Sequence, residues 1–157
     1  MMFDFLDTQL GSLLKKVQSI SHSDVWERVF SDSQLQEQVL DWIRWDQLYN
    51  EGVDELGQII GTYSRYTEIL NPEKPEGSPY TLYDTGAFYE SLVITVLSNA
   101  IEIDGDGLKT DEFGQTTDLF QEFGYEIIGL TDESKAKLAE ELIERYEIEL
   151  RKILSEY

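Results

Sequence analysis

The chain has 157 residues, of which 41% are hydrophobic, and this share is large enough to form the core of a single domain. Its 32 acidic and 12 basic residues give a formal net charge of −20, which argues against direct binding to nucleic acid because the phosphates would be repelled. The chain contains no cysteine, which excludes disulfides, a thiolate nucleophile and cysteine-based metal sites.

The first fifty residues predict a helical region. Apolar residues recur at helical spacing from Phe3 to Ile20, and a shorter helix is predicted from Val25 to Phe30. Ser33 with Gln36 three residues later forms a capping-box pattern, which predicts Ser33 as the N-cap of a further helix. The tryptophans of this region are more typical of core or interface anchors than of catalysis; they are Trp26, Trp42 and Trp45.

The segment Glu51–Tyr80 predicts an extended connecting arm, because its glycines and prolines interrupt any long element. Within it, Thr62–Thr67 has β-favouring residues, whereas Asn71–Pro79 is too rich in proline to form a helix or a central strand. Loops of this length are either flexible or used for contacts. We therefore expect the arm to contribute intermolecular contacts.

After the arm, the sequence predicts a short helix and a β-hairpin. Asp84 or Thr85 is expected to cap a helix from Ala87 to Leu92. Val93–Leu97 and Ala100–Ile103 then predict two strands that are joined by a tight turn.

The last forty residues predict two more helices. Thr117–Phe123 is expected to form a short helix that ends at Gly124. Thr131 is expected to cap a final helix that runs from Asp132 to Tyr157 and is about 39 Å long. Because this length exceeds what a small domain needs, we expect the helix to pack against a neighbour.

The acidic segment Asp104–Gly107 is similar to part of an EF-hand calcium loop, in which oxygen ligands alternate and glycine occupies the sixth position. With Gly107 in that position, however, the twelfth position holds Phe113, and Glu112 comes one residue too early. The register favours a β-turn with solvated carboxylates and leaves weak calcium binding open.

The sequence predicts no catalytic, metal or cofactor site. His22 is the single histidine, so no second imidazole or thiol is available to share a metal ion. No Gly-x-Ser-x-Gly elbow and no glycine-rich phosphate loop is present. The segment Asp84-Thr85-Gly86 also occurs in aspartic proteases, but these need two copies or a homodimer, and a helix-like sequence follows it here. We therefore expect a protein that is not an enzyme.

No membrane segment is predicted either. The segment Met1–Phe5 lacks the basic and apolar regions of a signal peptide, and no later run approaches the roughly 20 apolar residues of a membrane span. A chain without cysteine can fold in a reducing cytosol.

Three segments of the second half follow one another in a distinctive order. The segment Tyr80–Leu92 contains Asp-Thr-Gly and ends in Glu-Ser-Leu, and it is followed by the two predicted strands. Next come Leu119–Gly124, which ends in Phe-Gly, and Ile128–Ser134, which contains Gly-Leu-Thr-Asp-Glu. In this order the segments resemble the tail-completion, or virion-morphogenesis, proteins of long-tailed bacteriophages, over roughly Tyr80 to Leu154. The chain differs from that pattern in having Ile127-Ile128 where Arg-Pro often stands.

Together, these observations predict a single α+β domain over residues 1–157, with N-terminal helices, a small antiparallel sheet and a long C-terminal helix. Its parts are the helical region 1–50, the arm 51–80 and the α+β region 81–157. The resemblance implies an oligomeric ring or collar in the head–tail connector, neck or tail of a virion, assembled in the host cytoplasm with other virion proteins. The alternative is an acidic cytosolic binding module that sequesters a basic partner protein. The candidate subunit contacts are Tyr63, Tyr66, Tyr80, Tyr83, Asp84, Phe88, Tyr89, Tyr146 and Leu150.

Overall fold

The computed structural model describes residues 9–98, 100–110 and 114–156, which form an α+β fold as the sequence predicts. Its α-helices are α1 (Gln9–Ser19), α2 (His22–Phe30), α3 (Ser33–Asp41), α4 (Arg65–Leu70), α5 (Ala87–Ser91), α6 (Leu119–Phe123) and α7 (Asp132–Ser155). A π-helix, Trp42–Glu51, continues α3, and a 3-10 helix, Tyr125–Ile128, follows α6. The strands are β1 (Val93–Val96), β2 (Ile101–Asp104), β3 (Leu108–Thr110) and β4 (Thr116–Asp118).

Some residues of the predicted helices and of the predicted hairpin lie outside the described residues. They are the start of the first helix before Gln9, Asn99 in the predicted hairpin turn, and Tyr157 at the end of the last helix.

The start of α3 corrects the predicted cap. Asp32, not Ser33, is the N-cap, because its backbone is extended and its carboxylate accepts a hydrogen bond of 2.8 Å from the backbone N–H of Gln34. Gln36 does not complete a capping box, since its side-chain amide donates to the carbonyl of Phe30. The π-helix after α3 ends at Gly52, whose φ of +63° is a left-handed conformation that suits glycine.

The strands form two antiparallel hairpins. The first pairs β1 with β2, with Val93 opposite Asp104, and it confirms the predicted hairpin. The second pairs β3 with β4 and was not predicted. The predicted helix that ends at Gly124 is confirmed as α6, but its predicted start at Thr117 was wrong, because Thr116–Asp118 is a strand and the carboxylate of Asp118 caps α6.

The last helix confirms its predicted cap. The hydroxyl of Thr131 accepts a hydrogen bond of 3.2 Å from the backbone N–H of Ser134, and acidic residues in the first turn favour the positive end of the helix. α7 has 24 residues and packs mainly against α2 and also against α1, so part of its length is used inside the chain. Arg145 pairs with Asp32 and thereby ties α7 to the start of α3.

One hydrophobic core joins the two halves of the chain. It contains residues from α3 and the π-helix, from α5, and from the segment between α6 and α7. Its fully buried members include Leu35, Ile43, Leu48, Leu92 and Ile127. Arg44 supports this junction, because its guanidinium donates to the backbone carbonyls of Tyr89 and Leu92 at 2.8 and 3.3 Å.

Candidate interaction surface

The predicted arm is folded back on itself. Residues 61–80, which we call the lobe, are closed at their base by hydrogen bonds from the backbone N–H of Tyr80 to Gly61 and of Tyr63 to Ser78, at 2.8 and 2.9 Å. Gly61 permits this close approach, since a Cβ there would lie 2.5 Å from the ring of Tyr80. The prediction of β structure at Thr62–Thr67 was wrong beyond a single bridge between Thr62 and Pro79, because α4 begins at Arg65.

The tip of the lobe presents an apolar helix face to solvent. Ser64 caps α4 by accepting a hydrogen bond from the backbone N–H of Thr67, and no residue of this helix is buried. Tyr66, Ile69 and Leu70 are 70%, 71% and 68% exposed, and their spacing of three and four residues places them on one face. We call these three residues the α4 face. Aromatic and aliphatic side chains that are grouped and exposed in this way are typical of contact surfaces.

Two lysines pair with Asp84, and one of them belongs to the lobe. The carboxylate of Asp84 lies 3.3 Å from the ammonium group of Lys109 and 3.9 Å from that of Lys74, which belongs to the lobe. The predicted cap of α5, Asp84 or Thr85, was wrong, because the N-cap residue is Gly86, with a φ of +89°. The hydroxyl of Thr85 accepts a hydrogen bond from the backbone N–H of Ala87.

A cavity of about 260 Å³ lies beside this ion pair. Both lysines line it, and its walls include the rings of Tyr63, Tyr80 and Phe123. The Tyr80 ring lies 4.9 Å from that of Tyr63 and 6.0 Å from that of Phe123. The contact of Tyr80 with Phe123 attaches the lobe to the rest of the domain, whereas the contact between Tyr63 and Tyr80 lies inside the lobe.

A cluster of aromatic rings covers the π-helix. Trp45 and Tyr49, four residues apart, have ring centroids 5.6 Å apart, and Tyr83 lies 6.1 and 5.6 Å from them. The buried ring of Tyr89 packs against the cluster, with its centroid 5.5 Å from that of Trp45 and 5.1 Å from that of Tyr83. Burial raises the pKa of Tyr89, so its phenol stays protonated and donates a hydrogen bond of 2.6 Å to the carbonyl of Thr81.

The predicted contact residues differ in their access to solvent. Tyr66 is exposed and Asp84 is partly exposed, whereas Phe88 and Tyr89 are 8% and 2% exposed and belong to the core of this chain. Their side chains are therefore not available on the surface of this structure. Tyr63, Tyr80, Tyr83, Tyr146 and Leu150 are half-buried. Tyr146 packs inside the chain, 4.6 Å from Trp26 and in contact with the imidazole of His22.

Several exposed residues were not among the predicted contacts. Trp45 and Tyr49 are 42% and 47% exposed, and Ile69 and Leu70 complete the α4 face. The spacing of Trp45 and Tyr49 indicates that the two rings lie together, because residues four apart share a helix face. Their exposure depends on which face the core covers, and the sequence did not reveal that.

The acidic segment Asp104–Gly107 leads from β2 to β3, and Glu112 and Phe113 of the compared register lie outside the described residues. Asp104 accepts a hydrogen bond from the backbone N–H of Gly105, and Asp106 accepts one from that of Leu108, at 2.8 and 2.9 Å. No group of three or more potential metal-ligating side chains is found within residues 9–98, 100–110 and 114–156. In the same ranges, no helix has the length and hydropathy needed to span a bilayer.

Comparison with known proteins gives no relative, since no family model, no curated protein and no solved structure matches the chain.

Proposed function

We propose that this chain is a structural or assembly protein of a long-tailed bacteriophage particle, located in the head–tail connector, neck or tail, and that it acts by oligomerising without catalysing a reaction. The observation that carries the proposal is the order of Tyr80–Leu92, a hairpin, Leu119–Gly124 and Ile128–Ser134 before a long helix. Each segment alone has a simple structural explanation, because Asp-Thr-Gly suits turns and Thr-Asp-Glu suits helix starts.

The packing of these segments supports the proposal. Phe88 from the first segment, Leu119 from the second and Leu130 from the third lie in one core, together with Leu138 of α7. The motifs are therefore parts of one folded unit, as the resemblance implies.

The α4 face supports the oligomeric part of the proposal. Full burial of an aromatic or aliphatic side chain of this size contributes about 1.5–3 kcal/mol, so a neighbour that covers all three residues gains several kcal/mol. Repulsion between acidic subunits opposes association, but at physiological ionic strength it is screened beyond about 8 Å. In a ring, each subunit repeats such a contact with the next one.

Cryo-electron microscopy of the parent particle is the direct test of the virion location. We expect a ring of density near the portal or the tail that accepts α7 and the two hairpins. A purified particle in which mass spectrometry detects no peptide of this chain would contradict the proposal.

A second experiment tests the lobe. Because Tyr63 and Ser78 are joined through their backbones, residues 65–76 can be replaced by a two-residue Asn-Gly turn that preserves the base of the lobe. We expect cooperative unfolding and most of the helical circular dichroism to remain, while assembly into rings or particles is lost. The triple variant Tyr66→Ser, Ile69→Ser, Leu70→Ser should behave in the same way.

The matched control removes exposed apolar side chains elsewhere. Leu108 and Ile143 are 63% and 64% exposed, and the double variant Leu108→Ser, Ile143→Ser should assemble normally. If the α4 variants assemble as well as this control, the lobe is not a subunit contact.

A further inference from the structure

A second exposed surface lies on the π-helix, and its chemistry differs from that of the α4 face. It consists of the rings of Trp45, Tyr49 and Tyr83, which we call the aromatic patch. Two of these rings are nearly half exposed, although Trp26 and Trp42 elsewhere in the helical region are partly buried against the core. The edge-to-face contact between Trp45 and Tyr49, and the support from the buried ring of Tyr89, hold the patch in place before any partner arrives.

A cavity of about 360 Å³ opens beside the patch, between the π-helix and α5. Trp45 and Tyr83 form its aromatic wall. Its other walls carry three carboxylates, from Glu37, Asp41 and Glu90. The side chains of Glu37 and Asp41 are 62% and 49% exposed, and Glu90 is exposed with no ion pair among the described residues.

Arg44 is the basic residue in the wall of this cavity, and its guanidinium is already hydrogen-bonded within the chain. It donates to Glu37 at 2.6 Å and to the backbone carbonyls of Tyr89 and Leu92, and its side chain is only 11% exposed. Three carboxylates against one buried guanidinium leave the cavity with a negative potential, and the net charge of −20 reinforces it.

Carboxylates and a tryptophan ring in the wall of one cavity match the chemistry of a guanidinium group. Its planar cation stacks on aromatic rings and forms paired hydrogen bonds with a carboxylate, whereas an ammonium group is more strongly hydrated and does not stack. Fixed aromatic side chains are also the usual anchors of protein interfaces. A second copy of this chain is a poor occupant of this cavity, because its 32 acidic residues outnumber its 12 basic ones, and salt does not screen the repulsion between carboxylates at contact distance.

We propose that the cavity between the π-helix and α5 binds an arginine side chain of a basic protein partner, with Trp45 stacking on the guanidinium and Glu90 accepting its hydrogen bonds. This inference does not rest on the proposed virion role. It identifies where a basic neighbour docks, and it uses a surface other than the α4 face.

The test uses two blocked peptides of equal charge, one with four arginines and one with four lysines, each spaced by glycine and serine. Their affinity for the whole chain is measured by isothermal titration calorimetry at physiological ionic strength. We expect the arginine peptide to bind several-fold more tightly than the lysine peptide. Trp45→Ala should weaken arginine binding about tenfold and remove the preference, although it changes no charge.

Two controls separate the cavity from general attraction to an acidic protein. Tyr125 is 66% exposed on the 3-10 helix, and Tyr125→Ala should leave both affinities within about twofold of the wild-type values. Glu90→Arg should abolish the arginine preference, whereas Glu144→Arg on α7 should retain it. These charge variants alter exposed positions, so they test the cavity even if Trp45→Ala folds poorly.

Equal binding of the two peptides by the wild-type chain would overturn the proposal. The same conclusion follows if Trp45→Ala, correctly folded, binds the arginine peptide as tightly as Tyr125→Ala does, or if Glu90→Arg and Glu144→Arg behave alike. Net charge would then account for the attraction.

Discussion

Substitution of Gln47 should weaken the junction between the two halves of the chain. This side chain is 2% exposed; its amide N–H donates to the carbonyl of Gly129 at 2.8 Å, and its amide oxygen accepts from the backbone N–H of Thr131 at 3.1 Å. It therefore satisfies both polar groups of the segment that leads into α7. Gln47→Met keeps most of the side-chain volume but leaves these groups without a partner.

The expected loss is about 2–6 kcal/mol, because each of the two partly buried polar groups that lose their partner costs about 1–3 kcal/mol. With a urea dependence of about 2 kcal/mol per molar, the midpoint of unfolding should fall by about 1–3 M. Tryptophan fluorescence and circular dichroism would follow the transition. Gln121→Met, at an exposed position of α6, is the control and should change stability by less than about 0.5 kcal/mol. A Gln47→Met variant as stable as that control would refute the reasoning.

Gln47→Glu adds a dependence on pH. A carboxylate cannot donate to Gly129, and burial should raise its pKa in the folded chain above the unfolded value of about 4.3. The deficit in stability should therefore be small below that value, where the protonated acid restores the donor, and should grow as the pH rises toward the folded pKa. A deficit that stays constant from pH 3 to 7 would contradict this account.

Two further predictions concern a glycine and an ion pair. In urea unfolding, Gly57→Ala should cost about 1–2 kcal/mol, because its positive φ is unfavourable for a residue with a Cβ. Gly52→Ala should cost more, because its φ is also positive and its Cβ would lie 2.7 Å from a backbone carbonyl oxygen, whereas a Cβ at Gly57 would have no neighbour within 4 Å. The pKa of Asp32 is lowered by the hydrogen bond from the backbone N–H of Gln34 and by the charge of Arg145. The ionised carboxylate therefore stabilises the folded chain above the unfolded pKa of about 3.9, and this contribution is lost as the pH falls through the folded pKa. The stability advantage of the wild type over Asp32→Asn should accordingly shrink below about pH 4, and an advantage unchanged at pH 2 would count against the assignment.

Elements with local signals were predicted well. The hairpin of β1 and β2 and the cap at Thr131 depend on residues that are neighbours in sequence, so their patterns carry the information. The second hairpin has strands of only three residues, and Thr116–Asp118 has no alternation long enough to distinguish it from the start of a helix. The π-helix likewise has no sequence signal, because its apolar spacing is that of an ordinary helix.

The candidate surface was predicted only in part, for a physical reason. Asp84 has the local pattern of a helix cap, but its partners lie ten and 25 residues away, at Lys74 and Lys109, and only the fold brings them together. Burial of Phe88 and exposure of Trp45 depend in the same way on which helix face the core covers. The exposure of Tyr66 agrees with its place in a segment that glycine and proline isolate from the rest of the chain.

The backbone is strained at Leu82, between the lobe and the aromatic patch. Its φ of +54° is unfavourable for a residue with a Cβ, by about 1–2 kcal/mol, and such strain persists only where the surrounding structure enforces it. Leu82 and the next residue, Tyr83, both line the cavity beside Lys74 and Lys109, and Tyr83 also contacts Trp45 and Tyr49. Tyr83 therefore connects the cavity beside the lobe with the aromatic patch. Because it lies within Tyr80–Leu92, the segment that carries the resemblance is also the segment that joins the α4-bearing lobe to the proposed arginine site.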